Sequence, residues 1–577
     1  MSSTHNRSAR RKGKAAAPVR NVAPPPPPPS PPPSSTPSGT FTIEQAFNIA
    51  VERHVAGDTT SAAAIYRQIL AVRPAHPETL HNLGLLEMQA GRTTEAEDLF
   101  RRSLEARPGY LAAMKSLAAI LVGTARGPEA ETLYGEILNA NPDDHDCLNA
   151  LGRQRFERND PEAAVALFER AAALSPTNGE YQTNLGAMCR IVGRFQQSAQ
   201  ALRRAVQIQP ASAESWSNLS STLKMLGGFD EAMACIRRAG RVNPSFAAAR
   251  WNESLTLLLQ GAYEEGWKLY DWRWKTAGFP SPIRQFPQPA WQGEDLSGRR
   301  LLVHWEQGFG DTLQFARYLP LLKARGATII FESQKALLRL FRGLEGVDEL
   351  VEVATPLPPF DVYVALMSIP ALVGTTLATI PAKVPYLTAD QALRTEWFDR
   401  LGWNKEVDGT RPLRVGLVWA GSDTHGDDRF RSPGLAALTG LLTVPGTRFY
   451  SLQFGPRRDD MQAVASFLNT HPMPDLGGSF ADFADTAAVV SGLDLVISID
   501  TSVVHLAGAL GKPVWMLTPF APDWRWLLGR NDSPWYPNQR LYRQPAPGPA
   551  WADVIARIRN DLLILARKTG GAGYERT

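Results

Sequence analysis

Asp494-Leu-Val-Ile-Ser-Ile-Asp500-Thr-Ser-Val-Val-His-Leu506 sets the grammar of the second half of this chain. A short run rich in Val and Ile stops at Asp500. A helix-like apolar segment begins behind Thr501 and Ser502. This order predicts a buried parallel strand turning into a helix whose first turn is capped by hydroxyls. Such a turn presents backbone N–H groups and the positive end of the helix dipole above the sheet, where a diphosphate fits.

The same grammar recurs around it. Strands are expected at residues 301–305, 327–331 and 362–365, and again at 414–422, 448–453, 493–499 and 513–517. A helix is expected over 312–325, with Pro320 kinking or shortening it. Two α/β units in tandem, residues 298–395 and 410–567, with a linker near 390–410, suggest two Rossmann-like domains facing across a cleft. Glu306-Gln-Gly-Phe-Gly-Asp311 lies between the first strand and its helix. Its glycines allow a tight turn, and Asp311 either caps the helix or serves a substrate. The third glycine of a dinucleotide fingerprint is missing.

Upstream, the chain repeats. Pro74, Pro108, Pro142, Pro176, Pro210 and Pro244 are spaced by 34 residues without drift. Small residues recur at Ala62, Ala96, Ala130, Ala164, Ser198, Ala232 and Gly266. Four positions on stand Tyr66, Phe100, Tyr134, Phe168, Leu202, Ile236 and Tyr270. Gly57, Gly91, Gly193, Gly227 and Gly261 mark turns between helices. The pattern over 43–276 resembles the tetratricopeptide repeat, an α-solenoid of stacked helix pairs with a concave face. Its last unit, residues 261–274, is crowded with Tyr263, Trp267, Tyr270, Trp272 and Trp274. That crowding suggests packing against a following domain, although a well-filled final repeat explains part of it.

Composition narrows the class. At 577 residues, 44% hydrophobic and 20% charged, the chain reads as a multidomain soluble protein. It has no uninterrupted apolar run long enough to span a membrane, its basic N-terminus lacks the apolar core of a secretory signal, and its three cysteines fit a reducing cytoplasm, so a cytoplasmic location is expected. Cys147, Cys189 and Cys235 are widely spaced and suit neither a disulfide framework nor a zinc site. Residues 1–40 are proline-rich and carry six basic and no acidic side chains. They read as a disordered leader, and the remainder is left at −2, without a basic footprint for nucleic acid. The acidic string 143–146 falls in a repeat turn and reads as solvated.

Asparagine holds one register of the first repeat helices: Asn48, Asn82, Asn184, Asn218 and Asn252. The repeats resemble those of O-linked N-acetylglucosamine transferases, whose asparagines in this register hold an acceptor polypeptide by its backbone. An amide both donates and accepts, so it reads backbone without reading sequence. Asn82, Asn184, Asn218 and Asn252 are the acceptor-binding candidates. The register also belongs to the general repeat consensus, where its role is structural.

Gly310-Asp311, Trp419-Ala-Gly-Ser422 and Asp500-Thr-Ser-Val-Val-His505 before Ala509-Leu-Gly-Lys-Pro513 together resemble bacterial heptosyltransferases and related family 9 glycosyltransferases of GT-B fold, over roughly residues 298–565. The resemblance implies Asp311 as general base. It implies Ser422, Arg429, Arg431, Asp500, Thr501, Ser502 and His505 around a nucleotide-sugar donor, and displacement at the anomeric carbon without metal or further cofactor. His505 alternatively caps or packs its helix. The aromatic segments 519–526 and 535–536 either stack a base or sugar or brace the domains. Heptosyltransferases lack the repeats. The combination looks like bacterial tetratricopeptide glycosyltransferases that modify proteins, flagellin among them. A non-catalytic interaction scaffold and a transferase acting on a glycan or lipid are the alternatives.

Overall fold

The computed structural model describes residues 41–405, 411–422, 426–548 and 550–569. The leader expected at 1–40 lies outside them. Two compact units divide the chain, one ending at Ile120 and the other beginning at Leu121. The first contains helices Ile43–Val55, Thr59–Val72, Pro77–Gln89 and Thr93–Ala106 around Tyr66, Leu80 and Leu83. In the second, helical hairpins continue from Gly127–Ala140 to Tyr263–Tyr270. Among the described residues the solenoid has fourteen helices.

The hairpins close where a large side chain fills the space a glycine leaves. A Cβ at Gly84 would lie 2.6 Å from the Phe100 ring, and one at Gly152 would lie 2.8 Å from Phe168. The glycine in the first helix of these hairpins is therefore half of the close contact, and the aromatic ring of the second helix, four positions beyond the small residue, is the other half. Asp144 is not the solvated acid expected from its string. It is buried, and its carboxylate accepts from Cys147 N–H at 3.1 Å to cap helix His145–Glu157.

Two open parallel sheets come next in the chain. The first contains β1 (Arg300–His304), β2 (Thr328–Ser333), β3 (Glu349–Glu352) and β4 (Val362–Ala365), in the order β3-β2-β1-β4. The second contains β5 (Leu413–Val418), β6 (Thr447–Ser451), β7 (Leu495–Ile499), β8 (Val514–Thr518) and β9 (Gln539–Arg543), in the order β6-β5-β7-β8-β9. Every pairing between these strands is parallel. β5 and β7 are buried along their whole length, which is why apolar residues occupy both faces without alternation, Arg414 and Ser498 being the polar exceptions.

Two expectations are refined. The helix after β1 stops at Phe315, passes through a short 3-10 turn at Ala316–Tyr318 and restarts as Leu319–Lys323, with Pro320 in its first turn. Within the linker expected near 390–410, residues 390–405 are structured. Asp390 caps helix Gln391–Leu401, and Trp397 Nε1 from that helix donates to Asp485 at 3.0 Å.

The aromatic last repeat does pack against the α/β body. Trp267 meets Trp524 at 5.4 Å and donates through Nε1 to the Thr375 carbonyl at 3.0 Å. Trp535 Nε1 donates to the Tyr263 hydroxyl at 3.2 Å. One apolar core runs from Leu258 through both sheets to Leu541. Burying each large side chain in it contributes about 1.5–3 kcal/mol.

Candidate functional site

In open α/β sheets ligands lie beyond the carboxyl ends of the strands, where strand order reverses. The reversals fall between β1 and β4 and between β5 and β7. Three segments meet these points: 306–311 after β1, 419–422 with 426–431 after β5, and 500–502 after β7.

In the first turn, Glu306 is buried and structural. It accepts from Arg273 at 2.7 and 2.9 Å and from Met367 N–H at 3.0 Å. Asp311 lies in the first turn of helix Phe309–Phe315. Its carboxylate accepts from Gly308 N–H at 2.8 Å and pairs with Arg525. Arg525, in the 3-10 turn Trp524–Trp526 after β8, also donates to Asp523 at 2.9 Å and Gln314 at 2.6 Å. Burial raises the Asp311 carboxyl above its ordinary value, against the pull of Arg525.

After β5, Gln453 accepts from Trp419 and Ala420 N–H at 3.1 and 3.0 Å and fixes the Trp-Ala-Gly turn. Arg431 donates to Asp428 at 3.2 Å and to the Asp500 carbonyl at 3.2 Å, so this turn is tied to the one after β7. Asp500 itself accepts from Trp526 Nε1 at 2.8 Å. Burial, with the Asp523 carboxylate adding to it, pushes Asp500 up to about 6.

Helix Ser502–Ala509 is not capped as expected, because Thr501 makes no side-chain cap bond; its hydroxyl lies 3.3 Å from that of Ser498. His505 is buried, with Nδ1 3.0 Å from the Tyr536 hydroxyl and its ring stacked on Trp526 at 5.5 Å. Burial, then Arg525 and Arg317, hold it neutral, well below its ordinary value. A Cβ at Gly310 would lie 2.9 Å from this imidazole. The Gly-Asp turn thus needs its second glycine so that the two sheets' helices can touch.

A cavity of about 820 Å³ joins these turns to the solenoid, within the range of small-molecule sites. Arg431, Asp500, Asp523 and Arg525 line it from the sheets. Ser217, Asn218, Ser221, Lys224, Trp251 and Asn252 line it from the repeats. The solenoid is held there by its own turn glycines. A Cβ at Gly193 would lie 2.9 Å from Phe430, one at Gly227 2.8 Å from Phe520, and one at Gly261 3.0 Å from Leu377. All three glycines have positive φ, +83°, +80° and +85°, and so serve both the turn and the docking.

The candidates therefore separate. Asp500, Arg431, Asn218 and Asn252 line one cavity. Asp311 stands one side chain away through Arg525. Thr501, Ser502 and His505 adjoin the cavity through Asp500 without lining it. Ser422 and Arg429 are exposed, with Arg429 against the Phe430 ring at 5.3 Å. Asn184 donates to Asn149 at 2.8 Å, and Asn82 donates to the Tyr66 hydroxyl at 3.4 Å. Sequence reasoning misses Arg525, Lys224 and Arg190. The first sits inside an aromatic segment whose rings dominate it, and the others are lone cations on amphipathic helices. Among the described residues no group of three or more His, Cys, Asp or Glu is placed to hold a metal, and no helix is long and apolar enough to cross a membrane.

Helix hairpins of 34 residues followed by two open parallel sheets define the class: a repeat solenoid joined to an α/β body. Residues 50–110, 149–213 and 218–271 match one tetratricopeptide-repeat family model and residues 87–153 another, so this region is a tetratricopeptide array, a protein-interaction architecture. The chain is similar to Protein FlbA of Caulobacter vibrioides, 29% identical over 317 residues, and spans about half the length of that curated relative, 52% of each chain being covered. Solved repeat proteins also match. YrrB, a TPR protein with an unusual peptide-binding site, is 16% identical over 33% of this chain and 98% of its own, with TM-score 0.30. Pseudomonas aeruginosa pilF is 15% identical over 37% and 96%, with TM-score 0.34.

Proposed function

We propose that this protein is a cytoplasmic glycosyltransferase of GT-B architecture that moves a sugar from a nucleotide-sugar donor to a hydroxyl of a polypeptide held by the repeats. The observation that carries this reading is the shared cavity. Asn218 and Asn252 of the acceptor register line it together with Asp500 and Arg431 of the donor turns. The acceptor oxygen bonds to the anomeric carbon as the carbon–oxygen bond to phosphate breaks. Its proton goes to a carboxylate, and the electron pair leaves with the nucleotide. One displacement inverts the anomeric centre. Arg431 and the uncapped start of helix Ser502–Ala509 balance the leaving charge.

Asp311 is the proposed base. Its pairing with Arg525 requires that guanidinium to turn toward the donor before the proton moves. A second assignment, Asp500 as base, is favoured by its place in the cavity wall and its raised carboxyl. The test is intact-mass measurement of purified flagellin after incubation with the full chain and UDP-, ADP-, GDP- or CMP-sugars. A gain of one or more glycosyl masses with one donor is the expected result. No gain with any donor, alongside retained flagellin binding, leaves a scaffold.

A further inference from the structure

The solenoid brings two cations to the cavity wall, beside the Asp427 carboxylate. Arg190, on repeat helix Gly179–Ile191, and Lys224, on repeat helix Ala213–Met225, line it together with Arg431. Arg190 Nη1 lies 3.8 Å from Asp427 Oδ1, and its Nε has no hydrogen-bond partner among the described residues. The Lys224 ammonium has no hydrogen-bond or ion-pair partner within reach among the described residues, its nearest charges being Arg190 and Asp427. Burial, then the charge of Arg190, push its ammonium down to about 8, against the pull of Asp427. An enclosed ammonium without a paired anion is costly, and an arriving anion relieves that cost. Arg431 holds the Asp500 carbonyl, which ties this guanidinium to the chain just before helix Ser502–Ala509. A phosphate there meets a forked guanidinium and an ammonium together, with the helix start behind Asp500 adding its dipole.

We propose that Lys224 and Arg190 hold the phosphate groups of the donor nucleotide, so that the repeats complete the donor site as well as presenting the acceptor. This inference rests on the glycosyl-transfer reading and deepens it. A solenoid that touches both substrates makes the repeats part of the donor site and not a detachable arm.

The test is calorimetric titration of the full chain with UDP, ADP, GDP and CMP, repeated on Lys224→Met, Lys224→Arg and Arg190→Gln. An exposed repeat arginine outside the cavity, Arg203→Gln, is the control. For the nucleotide that wild type binds best, Lys224→Met and Arg190→Gln should each lose about tenfold to hundredfold in affinity, the worth of one charged hydrogen bond. Lys224→Arg should recover most of it, which a merely structural role would not produce, and Arg203→Gln should bind as wild type does. If Lys224→Met melts early, Arg190→Gln and Lys224→Arg carry the same comparison. Wild-type affinity in Lys224→Met and Arg190→Gln overturns the assignment and leaves the transfer reading standing. A raised acceptor KM with unchanged nucleotide affinity gives these cations to the polypeptide and overturns it too. Failure of wild type to bind any of the four nucleotides overturns both readings.

Discussion

The turns after β1 and β7 are built alike and end differently. Each succeeds a buried parallel strand, and each places an aspartate where the chain enters a helix. Asp311 turns inward, to the Gly308 N–H and to Arg525 from the other sheet. Asp500 accepts a neutral N–H from Trp526, lies 4.0 Å from His505 Nε2 and faces the cavity. Burial raises both carboxyls. Both feel Asp523 and Arg525, but after burial the strongest neighbour of Asp311 is the opposing guanidinium, whereas that of Asp500 is the Asp523 carboxylate, ahead of the opposing Arg431. The identity of the neighbour, more than depth, sets what each acid can do.

The largest expected effect separates the two as bases. Asp311→Asn should lower the transfer rate about 10²- to 10⁴-fold with nucleotide affinity retained, and Asp500→Asn should cost far less. The reverse order in steady-state kinetics moves the proton transfer to Asp500. Next in size is Arg525→Met, which strands Asp311 and Asp523 without a counter-charge. It should cost about 3–5 kcal/mol in urea unfolding, and a loss below about 1 kcal/mol would mean that the pair is not buried in solution.

Asp500→Asn gives a smaller effect with a definite sign. A carboxyl whose folded value is raised stabilises the fold below its ordinary range and loses that contribution as pH climbs through about 6. The variant should therefore be more stable than wild type at pH 8, by up to about 3 kcal/mol, with the gap closing toward pH 4. A gap that widens toward acid contradicts the assignment. Smallest is Thr501→Ala. Without a cap bond to lose, it should shift stability by less than about 0.5 kcal/mol, whereas a working cap costs about 0.5–2 kcal/mol.

The same two turns show what sequence can carry. β1 and β7 are central strands, and their Leu, Val and Ile runs declare them. Glu349-Leu-Val-Glu352 and Gln539-Arg-Leu-Tyr-Arg543 do not declare themselves as β3 and β9. Both are edge strands, where charged side chains are tolerated and the apolar signal is diluted. The solenoid is legible because a 34-residue period repeats many times. Its glycines read as turns, yet nothing local announces that Gly193 and Gly227 also seat Phe430 and Phe520, more than two hundred residues away. The cavity is of that kind. Asn218 carries a register and Arg431 a position, but their meeting is a property of the packed chain. Arg525 is hidden for the opposite reason: Trp524 and Trp526 point to stacking, while the arginine between them holds Asp311.

The solenoid and the sheets working one cavity is the central claim. Its most direct measurement is the steady-state acceptor KM, beside nucleotide affinity, for wild type and the double variant Asn218→Ala/Asn252→Ala. The predicted result is an acceptor KM raised about tenfold or more, from the loss of two backbone-reading amides, with nucleotide affinity unchanged. An unchanged acceptor KM would contradict the shared site.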